Sequence, residues 1–84
     1  MTSEMIEKFV ENKSRKNNAV NIHFKERSTI TGVFICTTDY QELKAKNFWR
    51  IVNKASIEEW RKTNNAGLAR IFNGAAFTRL SDEQ

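Results

Sequence analysis

The side chains in this sequence that are best suited to chemistry are few. His23 is the only histidine and Cys36 the only cysteine among the 84 residues. No carboxylate or cysteine stands at ligand spacing from His23, and one histidine with one cysteine cannot complete a structural zinc site. We therefore expect His23 to occupy an exposed strand position without a catalytic role and Cys36 to be an inert core thiol. We expect no bound metal or cofactor.

Paired carboxylates and glycine-rich loops, two other common sources of chemistry, are also missing. Adjacent acids occur at positions 58–59 and 82–83. Acid–base pairs must face each other across a cleft, whereas neighbours on a helix point to different sides. The three glycines are widely scattered, so they form no phosphate-binding loop. The sequence thus predicts a protein that is not an enzyme.

Basic residues interleaved with aromatic ones form the best candidate binding surface. The formal net charge is +4, and residues 19–54 carry six bases against three acids. Single-stranded nucleic acid is held in this way, because cations follow the phosphates and ring faces stack on bases. The alternative is that Trp49 and Trp60 are core rings and the lysines an ordinary surface. The candidate nucleic-acid-binding residues are Lys25, Arg27, Asp39, Tyr40, Lys44, Lys46, Arg50 and Asn73.

A β-hairpin must position part of this surface. Apolar and polar residues alternate over Ala19–Lys25, a polar turn follows at 26–29, and Ile30–Thr38 is apolar on both faces. This composition predicts that the second strand is the central strand of a small sheet. Gly32 inside it indicates a bulge, a bend or a close backbone approach.

Two further stretches are predicted to extend the sheet. Phe48–Val52 alternates as a third strand. Leu68–Leu80 is either two short strands bent at Gly74 or one sharply kinked strand. We expect Ser81–Gln84 to be a fraying tail.

Helical segments are predicted before the first strand and between the second and third strands. Thr2 or Ser3 can cap a helix that runs to about Asn17. Its apolar stripe comprises Met5, Ile6, Phe9 and Val10. The D-x-x-E spacing that begins at Asp39 is that of a capping box, and residues 40–46 are expected to form either a single helical turn or an ordered loop.

A second helix is predicted from Ser56 to about Asn64. Ser56 and Glu59 have the spacing of another capping box, and Asn64 with Asn65 can end the helix. Together these elements predict one domain over 1–84, with an N-terminal helix at 1–17, a sheet at 19–80 containing the inserted helix, and a tail at 81–84.

The start of the chain lacks the apolar core of a signal peptide, and no apolar run approaches the ~20 residues that span a bilayer. The single cysteine suits a reducing compartment. We expect a cytoplasmic protein with no membrane partner.

The element order and two local patterns resemble the Sm-like fold, a strongly bent five-stranded barrel with an N-terminal helix. The family's first motif resembles the series Val20, Ile22, Phe24, Gly32, Phe34 and Asp39, with Tyr40 next to the aspartate. Its second motif is similar to Ile71-Phe72-Asn73-Gly74 followed by Phe77 and Leu80. Asp39 stands one residue further from Gly32 than in the family, and Asn73 replaces the usual arginine. The resemblance implies RNA binding and a ring-shaped oligomer.

We therefore expect an α+β protein with a small, strongly curved antiparallel sheet or barrel, Sm-like or SH3-like, covered by an N-terminal helix and a second helix near 56–65. The first functional hypothesis is a non-enzymatic module that binds single-stranded RNA or DNA. The alternative is a protein-interaction or scaffold domain that binds a peptide, or a second copy of itself, through a sheet edge.

Overall fold

Three helices and five strands make up the part of the chain that the computed structural model describes, residues 1–11 and 19–82. Three short 3₁₀ turns, at Lys54–Ser56, Ala66–Leu68 and Gly74–Ala76, connect some of them. In chain order the helices and strands are α1 (Ser3–Val10), β1 (Val20–Phe24), β2 (Ile30–Phe34), α2 (Tyr40–Ala45), β3 (Phe48–Asn53), α3 (Ile57–Thr63), β4 (Ala69–Asn73) and β5 (Phe77–Asp82).

The five strands form one antiparallel sheet in the order β4-β3-β2-β1-β5. The hairpin β1–β2 lies at its centre, with β2 as the middle strand, as its apolar composition predicts. The sheet is not closed between β4 and β5, so both remain edge strands. The structure therefore confirms the α+β class and the antiparallel sheet, but not a barrel.

Apolar side chains pack on both faces of the sheet. On one face, Trp49 and Ile51 of β3 join Ile22 of β1 and Ile6 of α1 in a cluster whose members are at most 7% exposed. On the other face, Val52 of β3 packs with Ile57 of α3 in a second cluster. The interpretation of Trp49 as a core ring is thus correct, and its indole cannot stack on a ligand.

Gly32 lies where β2 approaches β3 too closely for a side chain. A Cβ at this position would stand 2.5 Å from the Val52 carbonyl oxygen and 2.8 Å from Cγ2 of Ile51. These distances are shorter than van der Waals contact, and one of the atoms belongs to the backbone. The close approach predicted for this glycine is therefore confirmed.

The N-terminal helix is shorter in the described structure than in the sequence prediction. The side chain of Thr2 accepts a hydrogen bond from the Met5 N–H, so of the two predicted candidates, Thr2 and Ser3, Thr2 is the N-cap. Ile6 is fully buried, but Met5 is 53% exposed and does not join the apolar stripe. The rest of the predicted helix, residues 12–17, lies outside the described residues.

Both predicted capping boxes precede helices, yet neither forms. The side chains of Asp39 and Ser56 make no capping hydrogen bond to α2 and α3, respectively. The Asp39 carboxylate accepts from Thr37 and Arg50 instead. Asn64 adopts the left-handed conformation (φ 54°) and ends α3, as its type predicts.

The observed bounds of β2, β4 and β5 decide three other predictions, which concern residues 68–80, the C-terminal tail and Cys36. The stretch 68–80 forms two strands separated by the turn at Gly74, not one kinked strand. Asp82 pairs with Val20 across β1, so this part of the predicted tail is ordered sheet. Cys36 lies beyond the end of β2 and is exposed, because the strand is shorter than predicted, so it is not a core thiol.

We predict that Gly32→Ala destabilises the protein, because the added methyl group must displace the backbone of β3. Overpacking of this kind costs roughly 1–3 kcal/mol in the free energy of unfolding. Urea denaturation followed by tryptophan fluorescence measures the change. Gly67→Ala is the matched control, since Gly67 is exposed and a Cβ there would meet only the Asn65 side chain, at 3.0 Å. Equal stability of the two variants would contradict the prediction.

Candidate functional site

Lys44 of α2 pairs with carboxylates of α1. Its Nζ lies 3.2 Å from Oε1 of Glu7 and 3.4 Å from Oε2 of Glu11. Tyr40, one turn earlier on α2, donates its hydroxyl hydrogen to Oε2 of Glu11 at 2.7 Å. Two predicted nucleic-acid-binding residues thus hold α2 against α1, and the charge of Lys44 is balanced by nearby acids.

These contacts shift the titration of each group. The hydrogen bond from Tyr40 is the main reason why the pKa of Glu11 is lowered. Burial raises the pKa of Tyr40, and its bond to Glu11 raises it further. Desolvation lowers the pKa of Lys44, but the hydrogen bonds and charges of Glu7 and Glu11 outweigh it, so the net shift is upward. All of these shifts favour the paired form at neutral pH.

Arg50 of β3 makes a two-point contact with Asp39. Its Nη2 donates to Oδ2 at 2.7 Å and its Nε to Oδ1 at 3.3 Å, while the Thr37 hydroxyl also donates to Oδ1. The hydrogen bond from Arg50, followed by that from Thr37, lowers the pKa of Asp39 from its ordinary value of 3.8 to about 2. This pair joins the start of α2 to the sheet.

Asn73 and Lys46 lie at the end of a strand and the end of a helix, respectively. Asn73 accepts the Ala75 N–H at 2.9 Å through its side-chain oxygen, which forms the turn between β4 and β5. Lys46 ends α2 and is exposed. Of the two, only Lys46 presents a charge to solvent.

Asn47, which the sequence analysis did not select, ties three segments together. Its Oδ1 accepts the indole N–H of Trp49 at 2.8 Å, and its Nδ2 donates to the Met1 carbonyl at 3.0 Å. Its own carbonyl accepts the Gly74 N–H at 2.8 Å. A Cβ on Gly74 would collide with the Asn47 side chain, so the glycine is required here. Asparagine's tolerance of positive φ, here 61°, was the available sequence signal.

Arg27 and Lys25 form a second group, at the turn between β1 and β2. The guanidinium carbon of Arg27 lies 5.2 Å from the ring centroid of Phe24 and 5.7 Å from that of Phe72. Both cations are exposed. Within residues 1–11 and 19–82, no carboxylate lies within ion-pair distance of either. Arg27 is therefore held by ring faces that leave its charge uncompensated.

A groove of about 460 Å³ opens beside Arg27. We call it the Arg27–Arg70 groove. Arg70 lies opposite Ile51 in the β3–β4 register, and Phe72 lies opposite Trp49, so both point to the same face of the sheet. Arg70 and Phe72 are more than 40 residues from Arg27 in the sequence, and only the folded chain brings all three to one groove. Its lining includes Arg27, Ile30, Ile51, Asn53, Ala55, Arg70 and Phe72.

The structure thus divides the predicted site residues into groups. The Asp39–Arg50 pair attaches the start of α2 to β3, and the contacts of Tyr40 and Lys44 with carboxylates attach α2 to α1. Lys25 and Arg27 line a common cavity of about 440 Å³, which shares Arg27 with the groove. No hydrogen bond or ion pair among the described residues joins this second group to the first.

His23 is engaged with two neighbours. Arg79 can only donate, so Nε2 of His23 accepts from its Nη2 at 3.3 Å. Its Nδ1 lies 3.2 Å from the Thr29 hydroxyl oxygen. In the described part of the chain, no group of three or more His, Cys, Asp or Glu is placed to hold a metal ion. The contact between His23 and Arg79 links the side chains of β1 and β5.

No protein-family model matches the chain, and comparisons with curated proteins and with solved structures gave no match. Within the described residues, no helix has both the length and the apolar character required to cross a bilayer.

We predict that the Asp39–Arg50 pair stabilises the protein above about pH 4 and loses this effect as the pH falls towards 2. The sign follows because the pKa of Asp39 is lower in the folded state, so the unfolded state binds its proton first on acidification. The difference in unfolding free energy between wild type and Asp39→Asn should therefore shrink between pH 4 and pH 2. Urea denaturation across this range measures it.

The same comparison in an Arg50→Gln background is the control for this prediction. Without the guanidinium, the main cause of the lowered pKa is removed, so Asp39→Asn should have a much weaker pH-dependent effect. An unchanged pH dependence in that background would show that Arg50 is not the cause.

Proposed function

We propose that this protein is a small, non-enzymatic module that binds single-stranded nucleic acid through the surface at the β1–β2 turn. The observation that carries the proposal is the position of Arg27 over the rings of Phe24 and Phe72, without a carboxylate partner in the described structure. Lys25 beside it and Arg70 across the groove add two further cations.

The charge balance favours this surface over the one around α2. A phosphate competes poorly for a cation that already contacts a carboxylate, because the ion pair must be broken first. Lys44 and Arg50 have such partners, at 3.2 Å and 2.7 Å. Arg27 and Arg70 have none among the described residues, so their charge is available to phosphates.

The aromatic residues at this surface support a single-stranded ligand. Phe24 and Phe72 are half-buried beside Arg27, with their ring centroids 5.9 Å apart. Unpaired bases present π faces that stack on aromatic rings and on guanidinium planes, whereas bases within a duplex do not. The surface therefore suits a strand whose bases are accessible.

The resemblance to the Sm-like fold remains part of the proposal. The order of the elements, with an N-terminal helix before five antiparallel strands, is consistent with it. A glycine at the centre of β2 and an Asn-Gly step between β4 and β5 support it further. Closure of the sheet into a barrel, and RNA rather than DNA as the ligand, belong to the same proposal.

We predict that Arg27→Gln weakens binding of a fluorescein-labelled 12-nucleotide dT strand by about tenfold, because a charge-assisted contact to phosphate is lost. The slope of log K against log[salt] should also become shallower by about 0.7, the value for one phosphate contact on a single strand. Fluorescence anisotropy between 50 and 300 mM salt measures both.

Lys62→Gln is the matched control for Arg27→Gln, since it also removes one positive charge from an exposed side chain, here on α3. It should change neither the affinity nor the slope by more than the small effect of net charge. Equal losses in the two variants would show that only net charge matters. Binding that does not respond to salt would contradict the proposal itself.

A second candidate function is interaction with a peptide or a second copy of the chain through β4. Its outer edge has no partner strand among the described residues, and Ile71 on this strand is 50% exposed. An unprotected edge with an apolar side chain is a site for strand addition. A ring-shaped oligomer, which the Sm-like resemblance implies, would use such an edge.

If the β4 edge mediates self-association, Ile71→Lys should shift the solution mass towards the monomer, because the charge opposes strand pairing. Light scattering after size-exclusion chromatography, with nucleic acid removed, measures this mass. Met5→Lys is the control, as Met5 is 53% exposed but lies on α1. A wild-type protein that stays monomeric at all concentrations would argue against self-association.

A further inference from the structure

We infer that the Arg27–Arg70 groove is a nucleotide pocket, which holds one base of a bound single strand on its apolar floor and the adjoining phosphate between its two arginines. This inference rests on the proposed function and makes it more specific. It predicts that the protein recognises bases as well as the charged backbone, at a place that lies away from α2.

The floor of the groove suits a base. The half-buried side chains of Ile30 and Phe72 line it above the buried Ile51, and all three lie on the face of the sheet that also carries Ile22 and Trp49. Its volume of about 460 Å³ is within the range of ligand sites, which is about 300–1,000 Å³. An apolar floor of this size favours a flat, poorly hydrated group, and phosphate alone would gain nothing from it.

The rim of the groove suits a phosphate. Arg27 and Arg70 both line it, and no acidic side chain does so among the described residues. Two guanidinium groups around one opening provide planar sets of N–H donors that match phosphate oxygens. Asn53 adds an uncharged polar group at the rim. The complementary ligand therefore combines an anion with an apolar ring.

The second cavity favours a strand over a free nucleotide. It shares Arg27 with the groove, has a volume of about 440 Å³, and is also lined by Phe24, Lys25, Glu26 and Ala76. A chain that leaves the groove past Arg27 would reach this cavity, where Lys25 can meet the next phosphate. A mononucleotide would use only one of the two spaces.

The first experiment compares two 12-nucleotide probes of equal charge, dT₁₂ and an abasic strand with the same phosphates. We expect wild-type protein to bind dT₁₂ at least about tenfold more tightly, in line with base stacking of roughly 1–3 kcal/mol. Equal affinity for both probes would overturn the groove as a base pocket while leaving the proposed function in place. Binding of neither probe would overturn both.

A groove-filling variant provides the second measurement. Ala55 is exposed and lines the groove, so Ala55→Trp should fill it without changing the charge. We expect its affinity for dT₁₂ to fall to the level of the abasic strand, with abasic binding unchanged. Ala45→Trp, on exposed α2, is the matched control and should change neither affinity. Loss of dT₁₂ binding only in Ala45→Trp would place the base site at α2 and overturn the inference.

Arg70→Gln tests the same groove without adding bulk, which matters if Ala55→Trp unfolds. Arg70 is exposed on edge strand β4, so the substitution should leave the thermal unfolding midpoint nearly unchanged. We expect weaker binding of both probes, with a salt slope shallower by about 0.7. Unchanged binding would overturn the phosphate position. Competition by thymidine monophosphate at lower concentrations than dT₁₂ would assign the groove to a free nucleotide instead.

Discussion

Burial of β3 on both faces is the constraint on which most of this structure depends. Trp49 and Ile51 occupy one core and Val52 the other, so the strand has almost no solvent-facing surface in its middle. Arg50 lies between these residues and needs a partner that keeps its charge solvated or paired. Asp39 provides that partner, which fixes the start of α2 against the sheet and, in turn, places Lys44 opposite the carboxylates of α1.

This chain of contacts separates cations that hold the structure from cations that remain available to a ligand. The basic residues around α2 balance acids that lie far away in sequence, such as Glu7 and Asp39. The basic residues at the β1–β2 turn and on β4 form no ion pair among the described residues, although Glu26 lies between Lys25 and Arg27 in the sequence. A net charge of +4 therefore understates the contrast, because the uncompensated charge is concentrated on one part of the surface.

The parts of the fold that were predictable from sequence are those that depend on the pattern of neighbouring residues and not on contacts between distant ones. Alternation of apolar residues predicted β1 and β3, and the apolar run after Ile30 identified β2 as central. For residues 68–80 the sequence left open whether they form two strands or one kinked strand. The capping box at Asp39 failed because a partner 11 residues away, Arg50, takes the carboxylate that the local pattern assigned to the helix. The groove was not predicted for the same kind of reason, since Arg70 and Phe72 meet Arg27 only in the folded chain.

The way in which Arg27 is held explains why it can serve a ligand when Arg50 does not. A carboxylate orients a guanidinium by neutralising it and by occupying its N–H donors, as Asp39 does to Arg50. Ring faces orient a guanidinium through their quadrupole, which leaves the net charge in place and the N–H donors unbonded. Phe24 and Phe72 therefore reduce the freedom of Arg27 without satisfying it, and an ordered but unsatisfied cation loses less entropy when a phosphate binds.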